Sequence, residues 1–329
     1  MKKKIFMLKK LFRDISSSPS PSNFDFGPIL NFYYFKFENN PQKLNRLISQ
    51  YDENGIPLNK SYIDVQDARL HYYPISIGQY GLAVFHEWLD NKREKDQLQF
   101  LKIADWFKNS SIQDSKLGIY WLTDIPKPEF NVYDPWKSAF SQSRGISIGL
   151  RAFQITNDSE YYEMAKAALK PFLIDITEGG VSTGIDNDII YEEYVAASPT
   201  RILDGAIFAL FGIYDMVRVS KGLNDHDTYL LSKEIFDKGV EGLLHWLPKF
   251  DMGYWVYYNR CEIKDYPTND PCTIGYLKLV IAQLNILYHI TKNEKLNTYV
   301  FKFESYLKPK NILRMYIEKY RALKKLNRL

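Results

Sequence analysis

Four times along the chain two apolar-periodic helical stretches follow each other across a short polar turn, and long segments separate one such pair from the next. The pairs are Pro74 to Trp88 with Asp96 to Phe107, Trp136 to Ile155 with Glu160 to Phe172, Pro199 to Lys221 with Thr228 to Leu247, and Cys272 to Ile290 with Glu294 to Leu307. Their second helices end roughly 60 to 75 residues apart, a period that belongs to stacked helix pairs rather than to a sheet-based fold. The expected fold is mainly α, an incomplete α/α toroid of about four hairpins, with a solenoid as the competing form. A solenoid needs only short turns. Here Lys108 to Pro135, Leu173 to Ser198 and Pro248 to Pro271 each exceed twenty residues. Long loops inside a compact fold tend to carry function, and these three should emerge at one end of the toroid.

The remainder of the chain divides around that repeat. Residues 1–22 read as a basic, flexible tail, with Met1 to Arg13 rich in lysine and Ser16 to Ser22 built of serine and proline. Residues 23–71 form an arm with strand-forming aromatics from Gly27 to Glu38 and a turn at Tyr51 to Pro57. Residues 72–308 hold the toroid, and 309–329 read as a basic C-terminal helix. The apolar part of the tail, Ile5 to Phe12, is interrupted by Lys9-Lys10. That is short for a signal peptide or a span, so a cytoplasmic location is expected, or a peripheral one through contact of the basic N-terminus with an anionic membrane surface.

Composition excludes several classes. Lys plus Arg number 43 against 39 Asp plus Glu, too slight and diffuse an excess to indicate nucleic acid. Cys261 and Cys272 are the two cysteines, too few for a disulfide framework or a four-ligand zinc site. Two free thiols is the simpler reading and one loop-closing disulfide the alternative. The five histidines are scattered without metal-ligand spacing, so neither a metal nor a cofactor is implied. Gly145-Ile-Ser-Ile-Gly149 matches the nucleophile-elbow pattern but falls inside a helical period, where no sharp strand-to-helix turn can form.

Aromatics make up 16 % of the chain, 25 of them tyrosine, a bias shared by helical cores and by sugar-binding grooves. They concentrate in two of the long connections. Tyr191-Glu-Glu-Tyr194 ends the second, at a helix entrance where Ser198-Pro199-Thr200 reads as cap and first turn. Tyr254, Tyr257, Tyr258, Tyr266 and Tyr276 crowd the third and the helix after it. Glu192 and Glu193 cannot both face the same way on an extended segment, so one can point into a groove. Carboxylates and phenols can give and take protons unaided.

Read in order, these segments resemble the D-glucuronyl C5-epimerases. Tyr191 to Tyr194, Leu203-Asp-Gly205 and Leu210 to Asp215 resemble the family's E-E-Y-P, L-N-G and L-x-G-L-Y-D. Leu247 to Gly253 is similar to L-P-x-x-D-x-G, Trp255 to Asn259 to W-S-x-Y-D, and Tyr276 to Leu284 to Y-H-x-x-H-I-x-Q-L. Upstream, Tyr73 to Gly81 resembles Y-P-I-x-I-x-Q-Y-G, and Trp136 to Gln142 with Arg151-Ala152 resembles W-x-S-A-x-x-Q and the R-A pair. The resemblance implies a metal-free, two-base epimerase acting on a glucuronate-containing acidic polysaccharide, and a homodimer. It places Glu193, Tyr258 and Tyr276 at the catalytic positions. Tyr258 and Glu193 are expected on opposite faces of the sugar, with Tyr276 tuning or relaying the proton; which group removes it stays open. Tyr194, Arg201, Asp204, Arg260, Gln79, Tyr80 and Gln142 are the candidate substrate-binding residues, and Arg260 and Arg201 the candidate cations for lowering a tyrosine pKa. Leu277, Val280, Val195, Asp204 and Cys261 depart from the family pattern, the last where an arginine is expected, and these departures bear on substrate binding. A polysaccharide lyase and a non-catalytic glycan-binding relative are the rival readings. A glycoside hydrolase is disfavoured because no second carboxylate pairs with Glu193 in the sequence.

Overall fold

The computed structural model describes the chain except residues 1–13, 16–17, 41–43, 45–47, 63–64, 66–67 and 329. The basic N-terminal tail and its expected membrane contact therefore lie almost wholly outside the described residues.

Nine α-helices are named among the described residues: α1 (Pro74–Asn91), α2 (Glu94–Ser110), α3 (Ala139–Thr156), α4 (Ser159–Ala167), α5 (Leu203–Leu223), α6 (His226–Phe250), α7 (Ile274–Thr291), α8 (Glu294–Glu304) and α9 (Pro309–Lys325). The first eight form the four expected hairpins. Each hairpin turns in the same way, with a C-cap residue in the left-handed region: Lys92 at φ 55°, Asn157 at 58°, Asn224 at 58° and Lys292 at 57°. In three of the four the next residue, Asp158, Asp225 or Asn293, caps the following helix by accepting a backbone N–H. That two-residue turn reverses the chain and satisfies groups at both helix ends at once. The first helices of the hairpins pack in succession, α1 on α3, α3 on α5 and α5 on α7. This inner row, backed by the second helices, is the expected incomplete α/α toroid.

Because every hairpin turn lies at one end, the N-termini of all four inner helices and the three long connections share the other. The connections carry two small antiparallel ribbons, β4 (Ile112–Asp114) with β5 (Gly118–Tyr120) and β6 (Ser182–Thr183) with β7 (Ile190–Tyr191). An antiparallel sheet of β1 (Ile48–Tyr51), β2 (Pro57–Lys60) and β3 (Leu70–Tyr72) precedes α1, in the order β1-β2-β3.

Three local expectations are corrected. The aromatic stretch from Gly27 to Glu38 forms no strand beyond an isolated bridge between Pro21 and Phe35. Tyr33, Tyr34 and Phe35 are buried in a row, which a half-exposed strand cannot achieve with its two-residue alternation. They lie instead along the inner helices, Tyr34 stacked on Phe211 at 4.7 Å and Phe35 near Phe208 at 5.7 Å. The helix expected from Pro199 starts at Leu203 with no side-chain cap. Arg201 is at φ 45° and the N–H groups of Thr200 and Arg201 are turned onto Glu192, so this stretch anchors a loop instead of starting a helix. α4 stops at Ala167, short of Phe172, as the chain tightens into a 3-10 turn over Lys170–Leu173 that contains Pro171.

A fully buried polar cluster ties the arm to the inner row. Asp215 accepts from Arg151 Nη1 at 2.7 Å, Ser147 Oγ at 2.8 Å and the Tyr34 phenol at 2.8 Å. Ser147, the centre of the false nucleophile elbow, is thus a buried helical hydroxyl used in packing. Both cysteines are free thiols. No helix among the described residues is long and apolar enough to cross a membrane.

Candidate active site

Backbone hydrogen bonds knit the three connections together over the inner-helix N-termini. Ala139 N–H donates to the Glu192 carbonyl at 2.8 Å and Val195 N–H to that of Lys137 at 3.2 Å, joining the first connection to the second. Arg260 N–H donates to Arg201 at 3.2 Å and Glu262 N–H to Pro199 at 3.0 Å, joining the second to the third. Tyr191 to Tyr194 is thereby clamped on both sides.

The two adjacent glutamates take opposite roles, as extended backbone requires. Glu192 is fully buried and accepts from Thr183 Oγ1 at 2.8 Å, Thr200 Oγ1 at 2.7 Å, Thr200 N at 3.1 Å and Arg201 N at 2.8 Å. Glu193 points the other way, against the first turn of α5 at Gly205. Its carboxyl is hydrogen-bonded by the Tyr194 phenol. Tyr194 is in turn hydrogen-bonded to Tyr73, and the Tyr62 phenol donates to Tyr73 at 3.2 Å. Three phenols therefore form a line that ends on Glu193.

Burial pushes the Glu193 carboxyl up to about 7, against the Tyr194 hydrogen bond and the nearby Lys127 charge, which pull it down. Asp204, in the first turn of α5, is held well above the usual carboxylate range, by burial first and by the Glu193 charge second. A second carboxyl is thus coupled to Glu193, which the sequence alone did not reveal. Tyr258 stands half-buried edge-on to Tyr276, ring centroids 5.4 Å apart. Burial, then Tyr276, Glu193 and Asp204, raise the Tyr258 phenol well above its ordinary value. The expected lowering by Arg201 and Arg260 does not occur, because both guanidinium groups are engaged elsewhere. Arg201 lies 4.2 Å from the Trp246 ring and pairs with Glu262; Arg260 lies 4.5 Å from the Tyr257 ring.

The structure brings Glu193, Tyr194, Asp204, Tyr258 and Tyr276 into one electrostatically coupled group. The other candidates sit apart from it. Gln142 is fully buried as a brace, its amide bonded to Trp121 N, Ile119 O and Ala168 O. Tyr80 lies 5.3 Å from Tyr51 of β1, and Gln79 beside it is half-buried on α1. Lys127 was not foreseen. It is buried between the Tyr62 and Tyr194 rings, at 3.9 and 4.4 Å, and paired with Glu129 at 2.7 Å. Its only sequence signal is a lysine held between Pro126 and Pro128 in a long connection. Phe130 lies near Tyr194 at 5.2 Å and stacks on Tyr266 at 5.7 Å. Beyond this ring layer a cavity of about 330 Å³ is lined by Glu129, Asn131, Tyr266 and the C-terminal end of α9 at Lys325.

Among solved structures the chain is similar to a GH76 α-mannanase of Bacteroides thetaiotaomicron, at 13 % identity and TM-score 0.46 over 79 % of this chain and 61 % of that one. It is also similar to PssZ of Listeria monocytogenes, at 12 % identity and TM-score 0.35 over 95 % and 98 %. A curated D-glucuronyl C5-epimerase of Caenorhabditis elegans is 28 % identical over 190 residues, 56 % of this chain and 31 % of the relative. The chain thus matches about a third of that relative's length. The model of the D-glucuronyl C5-epimerase C-terminus matches residues 113–305, which contain Glu193, Tyr258 and Tyr276. By that match the chain belongs to the D-glucuronyl C5-epimerase C-terminus family.

Proposed function

We propose that the protein is a uronyl C5-epimerase that inverts C5 of D-glucuronate to L-iduronate within an acidic polysaccharide. The observation that carries this reading is the pairing of a buried carboxyl poised near neutrality, Glu193, with a neutral phenol, Tyr258, in one coupled group. Inversion at C5 needs a base on one face of the ring and a proton donor on the other. Glu193 suits the first role because a carboxyl with a pKa of about 7 is both ionised and basic near neutral pH. Tyr258 suits the second because its phenol keeps its proton.

In the glucuronate-consuming direction Glu193 takes the C5 hydrogen as a proton. The C–H electron pair delocalises onto the C6 carboxylate as an enediolate, then returns to C5 as the Tyr258 phenol gives up its proton on the opposite face. Glu193 is left neutral and Tyr258 charged, beside Tyr276. To reset, Glu193 releases its proton, for which the line Tyr194, Tyr73, Tyr62 offers a route, and Tyr258 takes one back from solvent; the reverse reaction exchanges the two roles. The scheme draws only on side chains. A homodimer is part of this proposal on the family resemblance alone.

A polysaccharide lyase shares the first proton abstraction, and Asp204, whose carboxyl burial and the Glu193 charge push upward, is the group that reading would use as donor to the leaving C4 oxygen. The two separate in one experiment, with the protein incubated on heparosan in heavy water. Deuterium at C5 with chain length preserved supports epimerisation. An unsaturated, ultraviolet-absorbing product with chain cleavage overturns it in favour of elimination, and absence of both supports a binding protein.

A further inference from the structure

We propose that Lys319, on the C-terminal helix α9, binds the uronate carboxylate of the substrate beside Tyr258, supplying the cation that position 261 lacks. The inference rests on the epimerase reading and deepens it.

Proton removal at C5 adds negative charge to a group that is already a carboxylate, so a cation near that group stabilises the enediolate more than the ground state. Few cations are placed to do this. Arg201 and Arg260 are drawn onto Trp246 and Tyr257, and Lys127 sits on the Tyr194 side, paired with Glu129. Cys261, where the family pattern has an arginine, is a thiol whose sulfur accepts the Ile263 N–H at 3.4 Å.

Among the described residues, Lys319 is the cation that lies against the Tyr258 ring. Its ammonium lies 5.2 Å from the Tyr258 ring centroid and 2.6 Å from Asp270 Oδ1, with the side chain 13 % exposed. Asp270 is itself fixed on the same strip of chain. Its Oδ2 accepts from the Tyr266 phenol at 2.9 Å, and its carbonyl accepts the Tyr258 N–H at 2.8 Å. Asp270 thus holds the ammonium next to Tyr258, and an ammonium has three donors, so a second carboxylate can share it.

The placement follows from the sequence of α9. Met315, Lys319 and Ala322 are spaced four and three apart, which puts them on one helix face, and Met315 and Ala322 are the helix's buried residues. A lysine on the inward stripe of an amphipathic helix is uncommon unless it is paired or used. Arg314 on the neighbouring position lies 3.7 Å from the Tyr254 ring and helps seat the helix on the third connection. Lys319 also lies outside residues 113–305, the stretch that matches the family.

The test compares affinity of the intact protein, Lys319→Gln and Lys319→Arg for a heparosan oligosaccharide and for the same oligosaccharide with its carboxyls reduced to alcohols. C5 deuterium exchange is measured alongside. Lys319→Gln is expected to lose affinity on the order of ten- to a hundredfold for the uronate form and none for the reduced form. Lys319→Arg should restore most of it. Unchanged uronate affinity in Lys319→Gln overturns the inference, as does an equal loss for both forms, which marks a purely structural ion pair. Carboxyl-dependent binding through Lys319 without any C5 exchange in the parent protein upholds the contact and overturns the epimerase reading.

Discussion

A β-carbon placed on Gly205 would lie 2.2 Å from Glu193 Oε2 and 2.6 Å from Glu193 Cβ. The missing side chain in the first turn of α5 is the space that the carboxyl occupies. Alanine at 205 would gain about 1 kcal/mol of helix propensity in isolation. Within the fold it must drive Glu193 off its position. Gly205→Ala is expected to lower C5 exchange about a hundredfold, the scale of an ångström-sized misplacement of a reacting group. Exchange rate measured beside helical circular dichroism checks this, since helix content should be retained.

The titration of Glu193 sets two opposite pH trends. Its folded pKa of about 7 lies above the ordinary 4.5, so the folded state holds the proton more tightly. The associated stability is complete below 4.5 and is lost as pH rises through about 7, a change of up to about 3 kcal/mol. Activity in the glucuronate-consuming direction should rise over that same interval as the base ionises. Urea midpoints at pH 5 and pH 8 should therefore fall for the parent protein and stay nearly level for Glu193→Gln.

Glu192 is expected to matter for architecture. Four hydrogen bonds from Thr183, Thr200 and Arg201 end on its carboxylate. Truncation strands those donors away from water, at a cost of about 2–4 kcal/mol. Chemical denaturation of Glu192→Ala checks the stability loss. A loss of C5 exchange should accompany it, because Glu193 is the next residue on the unlatched segment.

The repeat of helical hairpins was legible because each inner helix carries an apolar stripe and each turn closes in two residues with a left-handed C-cap, a local rule. The family was legible through the order of the segments around Glu193, Tyr258 and Tyr276, residues whose roles belong to the proposal. The arm was not, since Tyr33, Tyr34 and Phe35 look strand-forming until the inner helices that bury all three are known. Arg260 lies beside Tyr258 in sequence and Arg201 beside the Glu193 corner, yet both are captured by aromatic rings, Tyr257 and Trp246. Local pattern puts Lys319 on the inward stripe of α9 and Lys127 between two prolines, but neither shows what the lysine meets, because their place beside Tyr194 and Tyr258 arises only when a distant connection and the last helix fold across the site. Arg151 and Asp215, both inside matching motifs, turn out to hold each other within the core.

That core pair gives a further prediction. Arg151 and Asp215 are both fully buried, so removing one partner leaves a charge without its counter-ion. Asp215→Ala should destabilise the fold by roughly 3–5 kcal/mol, read as a shift of the denaturation midpoint. No residue of the proposed proton chemistry touches this cluster, so the fraction that stays folded should exchange C5 hydrogen normally.

The central claim is that one carboxyl and one phenol move the C5 proton, and it is tested most directly by proton NMR of heparosan in heavy water with the parent, Glu193→Gln and Tyr258→Phe proteins. The parent is expected to replace the C5 hydrogen by deuterium without shortening the polymer, and both folded variants to lose that exchange by several orders of magnitude. Exchange at the parent rate in either folded variant would contradict the account.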